Sequence, residues 1–155
     1  MLRWNRKRRG FTLVELAIVI AILGILALYA LPKYQGMVEE ARSSEARAQL
    51  GSVRSALGIY YAKNHGVYPA TLDGTIFADD SVPEVEVTLH DGSIKRSNDV
   101  NNGVTVNNDG TVQASEVSDA GGWIYDVENT TYDKADVRIN SKGIDPTTGR
   151  YWYEY

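Results

Sequence analysis

One acid stands inside the most apolar stretch of the chain. Glu15 lies within residues 11–31, FTLVELAIVIAILGILALYAL, a run of 21 residues with no other charge. A carboxylate in such a segment costs a few kcal/mol at a helix centre and less near an end, and residues of this kind usually serve a function. A simpler account lets Glu15 sit near an interface and favour the helix N-terminus through the dipole. That account leaves Gly10-Phe11, placed just ahead of it, unexplained.

The rest of the chain offers little for covalent or metal chemistry. There is no cysteine, so neither a disulfide framework nor a thiolate metal site can form. The two histidines, His65 and His90, are separated by expected turns and strands and read as solvated loop or cap residues. No Gly-x-Ser-x-Gly, phosphate loop or His-Glu-x-x-His is present. Neither a catalytic site nor a cofactor is expected, and the chain is not read as an enzyme. Asn129-Thr130-Thr131 fits the N-glycosylation pattern and reads here as a loop.

Charge is divided unevenly. Arg3, Arg6, Lys7, Arg8 and Arg9 crowd the first ten residues, which hold no acid. From Phe11 onward 11 basic residues face 20 acidic ones, a net of −9. An acidic body of this kind excludes a basic nucleic-acid face. The five cations are better explained by the apolar run that follows them. As a helix that run spans roughly 31 Å, close to a bilayer core of about 30 Å. By the positive-inside rule its basic end stays in the cytoplasm and everything beyond Leu31 lies across the membrane.

Three fates of such a segment compete. A secretory signal peptide would have a shorter apolar core and a small-x-small site, and Leu28-Tyr29-Ala30 supplies a poor one. An uncleaved membrane anchor fits the hydropathy equally well. The third follows from a resemblance. Gly10-Phe11-Thr12-Leu13-Val14-Glu15, continuing through residues 16–31 into Pro32-Lys33-Tyr34-Gln35, resembles the prepilin-peptidase site of type IV pilins and type II secretion pseudopilins. The likeness covers about residues 6–36. It implies cleavage between Gly10 and Phe11 and N-methylation of Phe11. It further implies that Glu15 of one subunit neutralises the new Phe11 ammonium of a neighbour in a filament. Opposite charges in a low-dielectric bundle attract strongly, whereas either alone is penalised.

Beyond the apolar run, Pro32 lacks an amide proton and should kink or loosen the helix, with Gly24 and Gly36 weakening it on either side. Residues 33–64 return to a helical pattern. Ala46, Leu50, Val53, Leu57 and Tyr60/Tyr61 form one apolar stripe, with Glu39, Glu40, Arg42, Glu45, Arg47 and Arg54 mostly off it. Asn64-His65-Gly66 supplies a stop. Tyr68, before Pro69, is expected to pack on the helix.

Strand signals follow. Val85-Glu86-Val87-Thr88-Leu89 alternates, Asp91-Gly92 offers a tight turn, and Ile94-Lys95-Arg96 returns. A second hairpin is expected from residues 104–106 and 111–113 around Asp109-Gly110. Residues 123–126 and 137–140 read as further strands, the first similar to a tryptophan-containing strand of the family. Tyr151-Trp152-Tyr153-Glu154-Tyr155 reads as a last strand, with its tyrosines on one face. Major pseudopilins often hold calcium in a C-terminal loop. Asp133, Asp136 and Asp145 are oxygen ligands of the right type, yet their spacing matches no closed loop, and no metal site is assigned.

The expectation is an α+β pilin fold in four stretches. These are a cleaved basic leader (1–10), a transmembrane and polymerisation helix (11–32), its amphipathic second half (33–66) and an antiparallel β portion (67–155). The expected role is that of a structural pilus subunit. Processing rests on Gly10 and Phe11, and assembly on Glu15 and Pro32. The expected partners are further copies of the chain, a prepilin peptidase, an inner-membrane assembly or secretion platform and, before assembly, lipid. A major-type pseudopilin and a membrane-anchored periplasmic binding domain are the alternatives.

Overall fold

The computed structural model describes residues 10–104, 112, 114–127 and 134–155. The chain divides into two compact units, Met1–Val38 and Glu39–Tyr155. Helix α1 runs Leu13–Lys63, 51 residues with Pro32 inside it. Pro32 donates no amide hydrogen, so the Leu28 carbonyl loses its usual partner one turn on. The helix ends as expected, with Gly66 at φ +86° and its N–H donating to the Tyr61 carbonyl at 3.0 Å.

In the second unit, α1 buries Ala46, Leu50, Val53 and Leu57, the stripe the 3.6-residue period marks. They meet Leu72, Val85, Val87, Trp123, Tyr125, Val137, Ile139 and Trp152 in one core. Each fully buried large side chain contributes about 1.5–3 kcal/mol. Tyr68 packs against this core, its ring 4.5 Å from that of Tyr61. Two polar anchors fix the aromatics. The Tyr125 hydroxyl donates to the Pro69 carbonyl at 2.7 Å, and the Trp123 indole N–H to the Pro83 carbonyl at 2.7 Å.

The strands form two small sheets. β1 (Val85–Thr88) pairs antiparallel with β2 (Ile94–Ser97). Their turn follows the Asp91-Gly92 signal: Gly92 sits at φ +82°, and the Asp91 carboxylate accepts from the Ser93 amide and hydroxyl. β3 (Val100–Asn102), β4 (Trp123–Val127) and β5 (Ala135–Ile139) make the second sheet. β4 and β5 are antiparallel, but β3 runs parallel to β4, a pairing the hairpin reading did not foresee. β4 is also covered on both faces. Trp123 and Tyr125 enter the main core, while Ile124 joins a second cluster with Val104, Val112, Val117 and Tyr153.

The β3–β4 crossing depends on Gly122. It sits at φ +76°, where an added Cβ would run into the Asp99 carbonyl. The Trp123 N–H donates to that same carbonyl at 2.8 Å. Gly122→Ala is expected to cost at least about 2 kcal/mol, since it combines left-handed strain with a backbone collision. Urea denaturation of the two proteins measures the difference.

The C-terminal strand is corrected. Tyr151 forms a single bridge with Ile144, and Trp152–Glu154 then turn into a 3₁₀ helix. Burial of Trp152, only 2% exposed, decides this. A 3₁₀ turn superimposes residues three apart, which brings Tyr155 beside Trp152 with ring centroids 5.6 Å apart. The tyrosines therefore do not share one strand face, although Tyr151 and Tyr153 stack at 5.4 Å. The second expected hairpin falls mostly outside the described residues, as do the leader cations, Asn129-Thr130-Thr131 and Asp133.

Candidate processing and assembly segment

The start of α1 is locally determined. Thr12 caps the helix, with its hydroxyl oxygen accepting from the Glu15 N–H at 3.2 Å. The Glu15 carboxylate reaches back to accept from the Thr12 N–H at 2.9 Å and the Thr12 hydroxyl at 2.8 Å. This reciprocal capping box satisfies donors that the first helical turn leaves without partners. It brings Glu15 within a turn of Phe11 without burying either residue. Thr12 is a site residue that the acid alone does not reveal; Thr-x-x-Glu ahead of an apolar run is the signature that marks it.

Gly10 and Phe11 precede the helix. A Cβ built on Gly10 meets nothing within 4 Å, so no packing within the chain requires glycine there. Phe11 is 80% exposed. Every residue from 10 to 37 is exposed, including Leu13, Ile20, Ile25, Leu28 and Tyr29. An apolar surface of this extent marks contact with lipid or protein. α1 is long and apolar enough to cross a membrane. Pro32 stands at the end of that stretch.

The profile described as the prokaryotic N-terminal methylation motif matches residues 5–31. The chain carries this motif. The chain is similar to curated pilin and fimbrial proteins and to a type II secretion pseudopilin. The type IV major pilin protein PilE of Neisseria gonorrhoeae is 51% identical over 65 residues, covering 42% of this chain and 38% of that protein. The fimbrial protein EcpC of Eikenella corrodens is 51% identical over 63 residues, 41% of this chain and 40% of EcpC. The type II secretion system core protein G of Escherichia coli K12 is 38% identical over 73 residues, 47% of this chain and 50% of that protein. The matched stretch thus spans half or less of each of these relatives. No solved structure matches the chain.

Outside the methylation motif, the other sequence candidates take structural places. His65 is exposed at the end of α1 with φ 58°, and His90 is exposed at the hairpin turn, its N–H donating to the Asp119 carboxylate at 3.1 Å. Asp136 pairs with Arg138 at 2.7 Å and Arg54 at 3.6 Å. Asp145 is fully buried, and one of its oxygens meets Arg47 at 2.6 Å. The Tyr155 hydroxyl donates to it at 2.6 Å, the Thr148 hydroxyl at 2.9 Å, and the Thr147 amide at 2.9 Å. Cations and hydrogen-bond donors already occupy both carboxylates. Among the described residues no cluster of three or more metal-ligating side chains occurs.

Arg47 belongs to a series. Arg42 reaches Glu86 on β1 at 2.9 Å, and Glu86 also pairs with Arg96 on β2 at 2.9 Å. Arg54 donates to the Val137 and Tyr155 carbonyls at 3.0 and 2.5 Å. Three arginines flanking the apolar stripe thereby tie α1 to a hairpin, a loop and a strand of its own unit.

Proposed function

We propose that this chain is the structural subunit of a type IV pilus filament, cut after Gly10 by a prepilin peptidase and methylated at Phe11. The observation that carries the reading is the uncovered apolar helix with one carboxylate, Glu15, held at its N-terminus immediately behind Gly10-Phe11. Before assembly the helix lies in the inner membrane with the leader in the cytoplasm. Residues 1–10 act as leader, 11–32 as membrane and polymerisation helix, 33–66 as its amphipathic continuation and 67–155 as the β portion. Cleavage frees an ammonium on Phe11 about one turn before Glu15. In the filament the apolar surface exchanges lipid for neighbouring helices, and Glu15 neutralises a Phe11 ammonium. Pro32 loosens the helix where the apolar stretch ends. The role is structural, with an inner-membrane platform driving assembly.

A second reading has its own support. The match to the core protein G of E. coli is the longest of the three described, and it favours a periplasmic pseudopilus as the destination. Both readings share processing and polymerisation, and both are tested by Glu15→Ala. This variant should insert and be cleaved as the unsubstituted chain is, while yielding far fewer filaments. Immunoblots of membrane and sheared fractions separate the two steps. Normal filament yield would remove charge pairing from the account.

A further inference from the structure

Apart from Ile94 on β2, the large apolar side chains that the described part of the Glu39–Tyr155 unit leaves exposed fall into two groups. One lies where α1 finishes, with Ile59 in the penultimate turn and Val67 just past the helix end. The other lies on the C-terminal loop. There Ile144 forms a β-bridge with Tyr151, whose ring stacks on that of Tyr153. The buried Arg47–Asp145 pair keeps the groups apart. It holds Ile144, the neighbour of Asp145, at the level of Arg47. Ile59 follows Arg47 by twelve residues, about 18 Å further along the helix axis. One patch therefore lies toward each end of the helical stretch within this unit.

The charges at the two ends are opposite in sign. Lys63 stands in sequence between Ile59 and Val67 and is exposed. Glu39 and Glu40, also exposed, open the unit about two turns before Arg47. Among the described residues none of the three makes an ion pair, whereas Arg150 and Glu154 beside Tyr151 pair with each other. We propose that the Ile144/Tyr151 patch of one copy docks on the Ile59/Val67 patch of the next, with Lys63 facing Glu39 and Glu40. The inference rests on the filament reading above and uses a different surface from the apolar helix.

Exposed apolar groups rimmed by charge are the mark of a protein contact, and the charges here select a second copy as the occupant. Within one chain the two patches are too far apart to meet. Docking like on like would set Lys63 against Lys63, or the glutamates against glutamates, and like charges in a contact are penalised. Only the unlike pairing brings opposite charges together. That pairing is heterologous: each copy uses one patch toward the neighbour above and the other toward the neighbour below. Such a contact does not close and repeats along a filament. All copies insert with the same end in the cytoplasm, so neighbours are parallel and the end of one unit meets the beginning of the next.

Because the chain has no cysteine, two singly substituted copies can read the contact. Ile59 and Ile144 are both exposed, so Ile59→Cys and Ile144→Cys leave the core untouched. Sheared filaments from cells expressing both variants should be linked into dimers by a short bismaleimide, as seen on a denaturing gel. Filaments of either variant alone should stay monomeric. No dimer in the mixture, or equal linking in a single variant, would overturn the docking and leave the filament reading standing. Absence of filaments from the unsubstituted chain would overturn both. If the cysteine variants do not assemble, the charges decide. Lys63→Glu should lower filament yield several-fold with cleavage and thermal unfolding unchanged, and adding Glu39→Lys with Glu40→Lys should restore it. Full yield from Lys63→Glu, or no restoration, would overturn the pairing.

Discussion

Asp145→Ala should destabilise the folded unit by about 3 kcal/mol, the cost of stranding several donors that converge on one buried carboxylate. The substitution leaves Arg47 without its carboxylate and strands the Tyr155 hydroxyl, the Thr148 hydroxyl and the Thr147 amide, all of which converge on it. Arg47→Ala should cost less. The Arg47 side chain is 29% exposed, and Asp145 keeps its other donors in that variant. The same site sets a pH dependence. Burial pushes the Asp145 carboxyl up, but hydrogen bonds from Tyr155, Thr147, Thr148 and Ser43 outweigh it and lower the pKa to about 2 from 3.8. The folded state therefore holds this proton less tightly than the unfolded chain does. The resulting stabilisation, about 2 kcal/mol, is fully present above pH 4 and fades as the pH falls toward 2. Urea titrations of the unsubstituted and Asp145→Ala proteins from pH 6 to pH 2 check both statements. Their stabilities should converge as the medium becomes more acidic; a constant gap would contradict the assignment.

Gly10→Leu should abolish processing while leaving the fold unchanged. No neighbour lies within 4 Å of the Cβ position at residue 10, and neither α1 nor either core depends on it. Any effect of a bulky side chain there is therefore an effect on what binds the chain from outside. The full-length precursor should accumulate in membranes, with normal thermal unfolding of its β portion and no surface filaments. Processing at an unchanged rate would show that the peptidase account is wrong, because the folded chain gives Gly10 no other role.

The sequence made the local features legible and hid the distant ones. The helix stripe was readable because Ala46, Leu50, Val53 and Leu57 repeat with the period of one helix face. The β1–β2 hairpin was readable because Asp91-Gly92 carries its turn chemistry in adjacent residues. Thr12 is equally legible as half of a capping box, since Thr-x-x-Glu stands directly ahead of the apolar run. The C-terminal 3₁₀ turn was not legible. Tyr-Trp-Tyr-Glu-Tyr satisfies a two-residue alternation, and only the core that receives Trp152 overrides it. Nor could the sequence show that Asp145 meets Arg47, since 98 residues separate them and each alone reads as a solvated charge. The parallel β3–β4 pairing escaped for a similar reason: Val100-Asn101-Asn102 has weak strand character, and its partner lies beyond a long connection.

If the chain is a filament subunit, Phe11 becomes its first residue. N-terminal mass spectrometry of the sheared surface-filament fraction from cells expressing the chain tests it most directly. Abundant chain beginning at a methylated Phe11 is expected in that fraction. The same terminus confined to the cell envelope would move the assignment to the pseudopilus. An intact Met1, or a cut elsewhere than after Gly10, would contradict the account and leave a simple membrane anchor.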